Sequence, residues 1–336
     1  MLTRNTLLIL LSIVLLILSL LSLSIGAFST PFSTMLNPWR EDADLADLAT
    51  TIVFEIRLPR LLLSGLTGAV LGVSGAAMQG LFRNPLADPS LIGVTAGASL
   101  GASVAIVFIP STVAFLSLSL VSLGAFVGGL TATIFVYTLA TRQSGFSVST
   151  MLLVGIAITA LAGSLGNLLD YFANNSALRQ ISLWRMGGLD AATPSRVMVL
   201  LPAAIALMVA VMRYSNALNA LLLGDSQARY LGFNIQRIRT VLIVVVAIAV
   251  STSVAMGGTI AFVGLVVPHL IRLLIGPNYQ GLVAGSALLG AVFLIAADLL
   301  ARTVIAPAEL PVGIVTALIG VPFFITLLRR RRSWND

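Results

Sequence analysis

The chain has 336 residues, 58% of them hydrophobic and 9% charged, against about 25% charged in soluble domains, which excludes a soluble globular protein. It has no cysteine, which excludes a disulfide framework, a thiolate metal site and a thiol nucleophile. The formal net charge is +7, all nineteen basic residues are arginine, and no lysine exists to complete a Walker A loop, so any ATP that drives this chain is bound elsewhere.

A helix needs about 20 apolar residues to cross the hydrocarbon core of a bilayer. Ten such runs are read, near 6–27, 58–82, 91–109, 113–140, 150–171, 196–213, 239–257, 260–275, 281–301 and 310–328. The first follows Arg4 and has the outline of a signal peptide, but it is longer than a normal apolar leader segment and reads as a retained span. The arginines set the orientation. With Arg329, Arg330, Arg331 and Arg332 inside, ten crossings put both termini in the cytoplasm, and Arg4, Arg83, Arg142, Arg213, Arg229, Arg237, Arg239 and Arg272 join them, twelve in all. Arg40, Arg57, Arg60, Arg179, Arg185, Arg196 and Arg302 are the seven left outside. Glu41, Asp42, Asp44, Asp47 and Glu55 share one outer loop, and Trp39, Trp184 and Trp334 lie off the apolar runs, where amphipathic rings settle at the interface. The expected fold is an all-α integral membrane protein with ten transmembrane helices, one membrane domain over residues 1–336.

Small residues four apart recur in the spans: Gly68 and Gly72, Gly97 and Gly101, Gly124 and Gly128, Gly281 and Gly285. Such pairs allow close helix packing in lipid. No repeat is evident.

Hydrolytic chemistry is absent from the pattern. His269 is the single histidine, so no H-E-x-x-H or histidine-pair metal site exists, and there is no G-x-S-x-G elbow. His269 reads as a structural side chain bonded to a nearby carbonyl. Ion-coupled transport leaves an acid near the membrane midplane, whereas Asp170 and Asp298 fall toward the outer ends of their spans. Asp298 and Arg302 stand at i and i+4 and are placed to pair. The mild polarity of Ser64, Thr67, Ser74 and Gln79, then of Thr159, Ser164 and Asn167, suits the lining of a wet passage. It equally suits hydrogen bonds back to the helix backbone.

Outside, the stretch 55-EIRLPRLLL-63 opens a span with Pro59 in the first turn and Arg57 and Arg60 on a similar side. These arginines read either as snorkelling anchors or, with Arg302, as a cationic outer pocket for a partner's carboxylates. Inside, 221-LLLGDSQARYLGFNIQRIR-239 reads as a short helix, N-capped by Asp225 and stopped at Gly232. It is either an ordinary capped turn or a knob, bearing Tyr230 and Leu231, for a partner's socket.

The motifs 57-RLPR-60, 75-GAAMQGLFRNPLADPSLIGVTAGAS-99, 224-GDSQARYLG-232, 258-GTIAFVGLVVPHLIR-272, 297-ADLLAR-302 and 309-ELPVG-313, in this order, resemble the permease subunits of bacterial ABC importers for iron-siderophores, haem and vitamin B12. The likeness runs from about residue 50 to 328 and leaves the first 50 residues without a signature. It implies the fold of the vitamin B12 importer's permease, in the inner membrane, working as a homodimer or as a heterodimer with a related chain, with the pathway between the two. It also implies two cytoplasmic ATPases that hold ATP and Mg, no cofactor on this chain, and a soluble binding protein outside.

In the family, arginines matching Arg57, Arg60 and Arg302 meet glutamates of the binding protein. The loop 214–238, through Gly224, Asp225, Ser226, Ala228, Arg229, Leu231 and Gly232, docks in a groove of the ATPase. Aspartate stands at 225 where many members carry glutamate. The resemblance ranks ferric siderophore first as cargo, haem second and vitamin B12 third. An ion-coupled symporter and an intramembrane enzyme are the competing classes.

Overall fold

The computed structural model describes residues 3–26, 50–108, 114–142 and 145–332. Trp39, Arg40, Glu41, Asp42, Asp44, Asp47 and Trp334, assigned above to the outer loop and the chain end, lie outside them.

Each of the ten apolar runs is helical over most of its described residues. In chain order the helices are α1 (Arg4–Ser24), α2 (Leu58–Leu81), α3 (Val94–Phe108), α4 (Ala114–Ala140), α5 (Val148–Phe172), α6 (Asn175–Met186), α7 (Pro194–Arg213), α8 (Ser215–Leu221), α9 (Asp225–Tyr230), α10 (Ile235–Gly257), α11 (Val263–Ile275), α12 (Tyr279–Thr303) and α13 (Val312–Arg332). Among the described residues seven are long and apolar enough to cross a bilayer unaided, while α3, α11 and the apolar part of α13 are shorter. The pieces off the apolar runs are α6, α8, α9 and a hairpin of β1 (Thr141–Arg142) and β2 (Gly145–Phe146), which pairs Thr141 with Phe146.

Local chemistry sets the boundaries. Thr3, Ser147, Asn174, Thr193 and Asn234 each accept a backbone N–H at the start of α1, α5, α6, α7 and α10, satisfying donors that a helix leaves open. Pro59 and Pro194 fit the first turns of α2 and α7, where no N–H is needed. A π-helical segment, Ile52–Arg57, precedes α2 and carries Arg57 at its end. Wider coils of this kind are rare and gather at functional positions.

Helix α2 is the centre of the bundle, buried along most of its length and flanked by α7, α10, α11 and α12. Lipid supplies no hydrophobic drive between helices, so close backbone packing must hold them together. Gly68 and Gly290 supply it between α2 and α12: a Cβ on either would overlap the other's carbonyl oxygen, and one on Gly72 would overlap that of Ser286. Gly97 and Gly101 of α3 meet Gly124 and Gly128 of α4 in the same way, whereas Gly281 and Gly285 meet only side chains. The peripheral α1 keeps Leu10, Ile13 and Leu16 exposed, as a lipid-facing surface requires, and α5, also peripheral, exposes Leu153 and Ile156.

Between α10 and α11 the chain is non-helical over residues 258–262. Phe262 there takes a left-handed φ of 69°. A Cβ on Gly258 would lie 2.5 Å from the Trp184 carbonyl oxygen, so glycine lets this segment lie directly on the end of α6.

Candidate functional site

At the outer end, the π-helical lead-in to α2, the end of α12 and the end of α1 bring the three sequence-marked arginines together. Arg60 forks the carboxylate of Asp298, with Nε at 3.0 and 3.1 Å from its two oxygens and Nη2 at 2.9 Å from Oδ1. Its Nη1 donates to Glu309 Oε2 at 2.8 Å. Arg57 Nη1 donates to the carbonyl oxygens of Leu23 and Ser24 at 2.6 and 2.9 Å. Arg302 donates to the carbonyl oxygen of Ser22 and, at 2.8 Å, to its Oγ.

Two guanidinium groups thus cap the last turn of α1, the end at which a helix's aligned carbonyls concentrate negative charge. The i, i+4 neighbours Asp298 and Arg302 stand 3.9 Å apart, and Arg60 is the closer partner of Asp298. The cluster is positive overall but closed: Arg57, Arg60 and Arg302 are 5, 7 and 5% exposed. Glu309 is its exposed member, with 41% of its side chain accessible. Ser22 carries no local signal in the sequence, and Glu309 opens the motif 309-ELPVG-313 without anything that marks it as the partner of Arg60. They lie 280 and 249 residues from the arginines they bind.

The polar residues of the spans fall into two groups. Ser64, Thr67, Ser74 and Gln79 of α2 are buried inside the bundle. Ser64 Oγ bonds back to the Leu61 carbonyl at 2.9 Å, and Gln79 Nε2 reaches the Leu265 carbonyl of α11 at 3.3 Å. Thr159, Ser164 and Asn167 of α5 are exposed. Nearby, Arg185 of α6 pairs with Asp170 of α5 at 2.6 Å and donates to Ser103 of α3 at 3.2 Å. The same arginine edges an otherwise mostly apolar cavity of about 520 Å³ with Thr259, Ala261, Gly313 and Ala317. His269 is 9% exposed and presents its ring edge-on to Phe323, 6.5 Å between centroids.

At the cytoplasmic end, the polar segment 221–239 forms α9 and the first turn of α10, with α8 just before it. Gly224, at φ 114°, precedes α9, and Gly232, at φ 85°, ends it, as expected of the stop. The expected cap at Asp225 is not made: Gly224 occupies the cap position and Asp225 is the first helical residue. Its carboxylate turns inward and is forked by Arg239 of α10 at 2.9 and 2.8 Å, with Arg83, just past α2, at 3.7 Å. Burial alone would raise the Asp225 pKa, but the Arg239 hydrogen bond and charge, with Arg83 and Arg229 nearby, hold it below the ordinary carboxylate value.

Ala228 is buried under the helix. Ser226, Arg229, Leu231 and Gly232 face outward with Tyr230, the last being 87% exposed and Leu231 61%. Behind them a cleft of about 500 Å³ opens between α9, the start of α10 and Phe146. The arrangement offers a partner an apolar knob ringed by arginine. Among the described residues no cluster of His, Cys, Asp and Glu is arranged to hold a metal ion.

Comparison with known proteins agrees with this architecture. The chain is 43% identical over 321 residues to the hemin transport system permease protein HmuU of Yersinia pestis, covering 96% of this chain and 94% of that one. It is 41% identical over 285 residues to the cobalamin import system permease protein BtuC of Halobacterium salinarum, covering 85% and 75%. A solved metal-chelate type ABC transporter in an inward-facing conformation superposes with a TM-score of 0.85 at 31% identity, covering 96% and 98% of the two chains. The model of the FecCD transport family matches residues 14–330. A match over nearly the whole length, on a bundle of this shape, makes the chain a member of the FecCD transport family, the multi-pass inner-membrane permeases of ABC importers.

Proposed function

We propose that the chain is the permease of an importer for an iron chelate, with haem as its cargo. The observation that carries the cargo is the 43% identity to a hemin permease along nearly the full length of both chains. Ferric siderophores belong to the same chemical class, and the cobalamin relative supports vitamin B12 as the second reading. The chain carries no ATPase site, since it has no lysine for one. ATP and Mg reside on two cytoplasmic ATPase subunits that meet Ser226, Arg229, Tyr230 and Leu231, flanked by Gly224 and Gly232. A second permease chain, most simply another copy, faces the exposed Thr159, Ser164 and Asn167, and a binding protein delivers cargo at the outer end around Arg57, Arg60 and Arg302.

The test is uptake by a strain lacking only this gene, offered haem, ferric siderophores and vitamin B12 in turn. Loss of haem uptake alone is the expected result. Loss of vitamin B12 uptake with haem uptake intact would keep the architecture and overturn the cargo, and no loss with any of them would overturn the importer reading.

A further inference from the structure

We propose that Asp225 is a positioning residue that passes movement of α9 into the membrane bundle through its fork with Arg239. The proposal rests on the reading that the outer face of α9 meets the ATPase. Helix α9 has six residues, too few to hold its shape alone. It is bounded by Gly224 and Gly232, both at positive φ, and a Cβ at Gly232 would meet nothing within 4 Å. Two such joints let a helix swivel when a partner pushes on it. Buried Ala228 provides contact but no direction. The bidentate fork of Arg239 on both oxygens of Asp225 does fix an orientation, because a planar guanidinium and a carboxylate match in one geometry.

The receiving end is firm. Arg239 is 5% exposed and its guanidinium lies 5.1 Å above the Phe146 ring. Phe146 in turn packs on Tyr137 of α4, whose hydroxyl shares a 2.6 Å hydrogen bond with Thr240, one residue beyond Arg239. From there α10 continues through the bundle to Gly257, largely buried. Arg83, at 3.7 Å, adds a looser tie to the inner end of α2. A residue that served the ATPase directly would point the other way, as Tyr230 does.

The experiment uses the full chain with its ATPase in nanodiscs. Because the chain has no cysteine, spin labels at Gln227→Cys and Gln236→Cys, both exposed, report the α9–α10 distance cleanly. The wild-type distance is expected to stay constant between nucleotide-free and vanadate-trapped states, and to broaden in Asp225→Asn. In proteoliposomes offered haem, ferrichrome and vitamin B12 in turn, Asp225→Asn is expected to import roughly three- to thirtyfold less per ATP hydrolysed, with the ATPase still bound. Asp225→Glu restores the ratio.

An ion pair that only stabilised the fold would lower the melting temperature and leave that ratio unchanged. A wild-type distance that changes with nucleotide overturns the proposal, as does normal import per ATP in Asp225→Asn or loss of its ATPase. If Asp225→Asn does not insert, the wild-type distance decides alone. Tyr230→Ser with Leu231→Ser tests the underlying reading separately: an ATPase that stays bound to that variant removes α9 as the docking face.

Discussion

A guanidinium inside a membrane bundle needs its own counter-charges, and Arg60 has two, one buried and one half-exposed. Arg60→Ala leaves Asp298 buried with only Arg302 at 3.9 Å, and is expected to cost about 3–5 kcal/mol of stability. Thermal unfolding in detergent reads this, and Arg60→Met with Asp298→Leu should recover part of it, since no buried carboxylate is then left without Arg60, while Arg302 keeps only its contacts to Ser22. Arg57→Glu places a carboxylate against the carbonyls of Leu23 and Ser24 and is expected to weaken binding-protein affinity at least roughly tenfold at low salt. Unchanged affinity would locate docking elsewhere.

For Asp225 the pKa is depressed in the folded protein, so its contribution is complete above the ordinary carboxylate value of about 3.9 and is lost only as pH falls through the lower folded value. Melting temperatures of wild type and Asp225→Asn should therefore differ by a constant amount across the neutral range and converge only in strong acid. The sequence marked these residues and missed their partners. The cap expected of Asp225 lost to a charge-assisted fork from a residue fourteen positions on, and a local rule cannot see such a competitor.

Among the elements, the spans were readable because an apolar run long enough to cross lipid is a one-dimensional signal. The boundaries followed from caps written into the chain. The short pieces were not readable in the same way: α6 and the hairpin are held by neighbours, and nothing before Pro59 announces a π-helical coil. Glycine spacing flagged the close contacts but not which helices they join. Gly68→Ala puts a methyl into the Gly290 carbonyl and is expected to destabilise by about 1–3 kcal/mol. Gly163→Ala, with open space around its Cβ, should leave the melting temperature of the single protomer unchanged. Both are read by the same unfolding measurement.

For the whole molecule, the polar residues of α2 and α5 looked alike in the sequence. The bundle separates them, because α2 is buried along most of its length at the centre and α5 sits at the edge. Ser74→Leu, at a fully buried position, is expected to lower the amount of folded permease, whereas Asn167→Leu should fold normally and reduce cargo uptake. Equal uptake by Asn167→Leu and wild type would take α5 off the pathway.

One further consequence follows from the non-helical residues 258–262. Helix α11 has 13 residues, about 20 Å of length against a hydrocarbon thickness of about 30 Å. The missing distance is made up by backbone outside a regular helix, and such peptide groups do not tolerate contact with acyl chains. Of residues 258–262, Gly258 is buried against α6 and Ala261 is exposed, so it is beside Ala261 that protein or water, rather than acyl chains, is expected to cover the backbone. One protomer alone therefore carries a side that lipid does not suit, and a second chain seated there would cover what the short helix leaves bare.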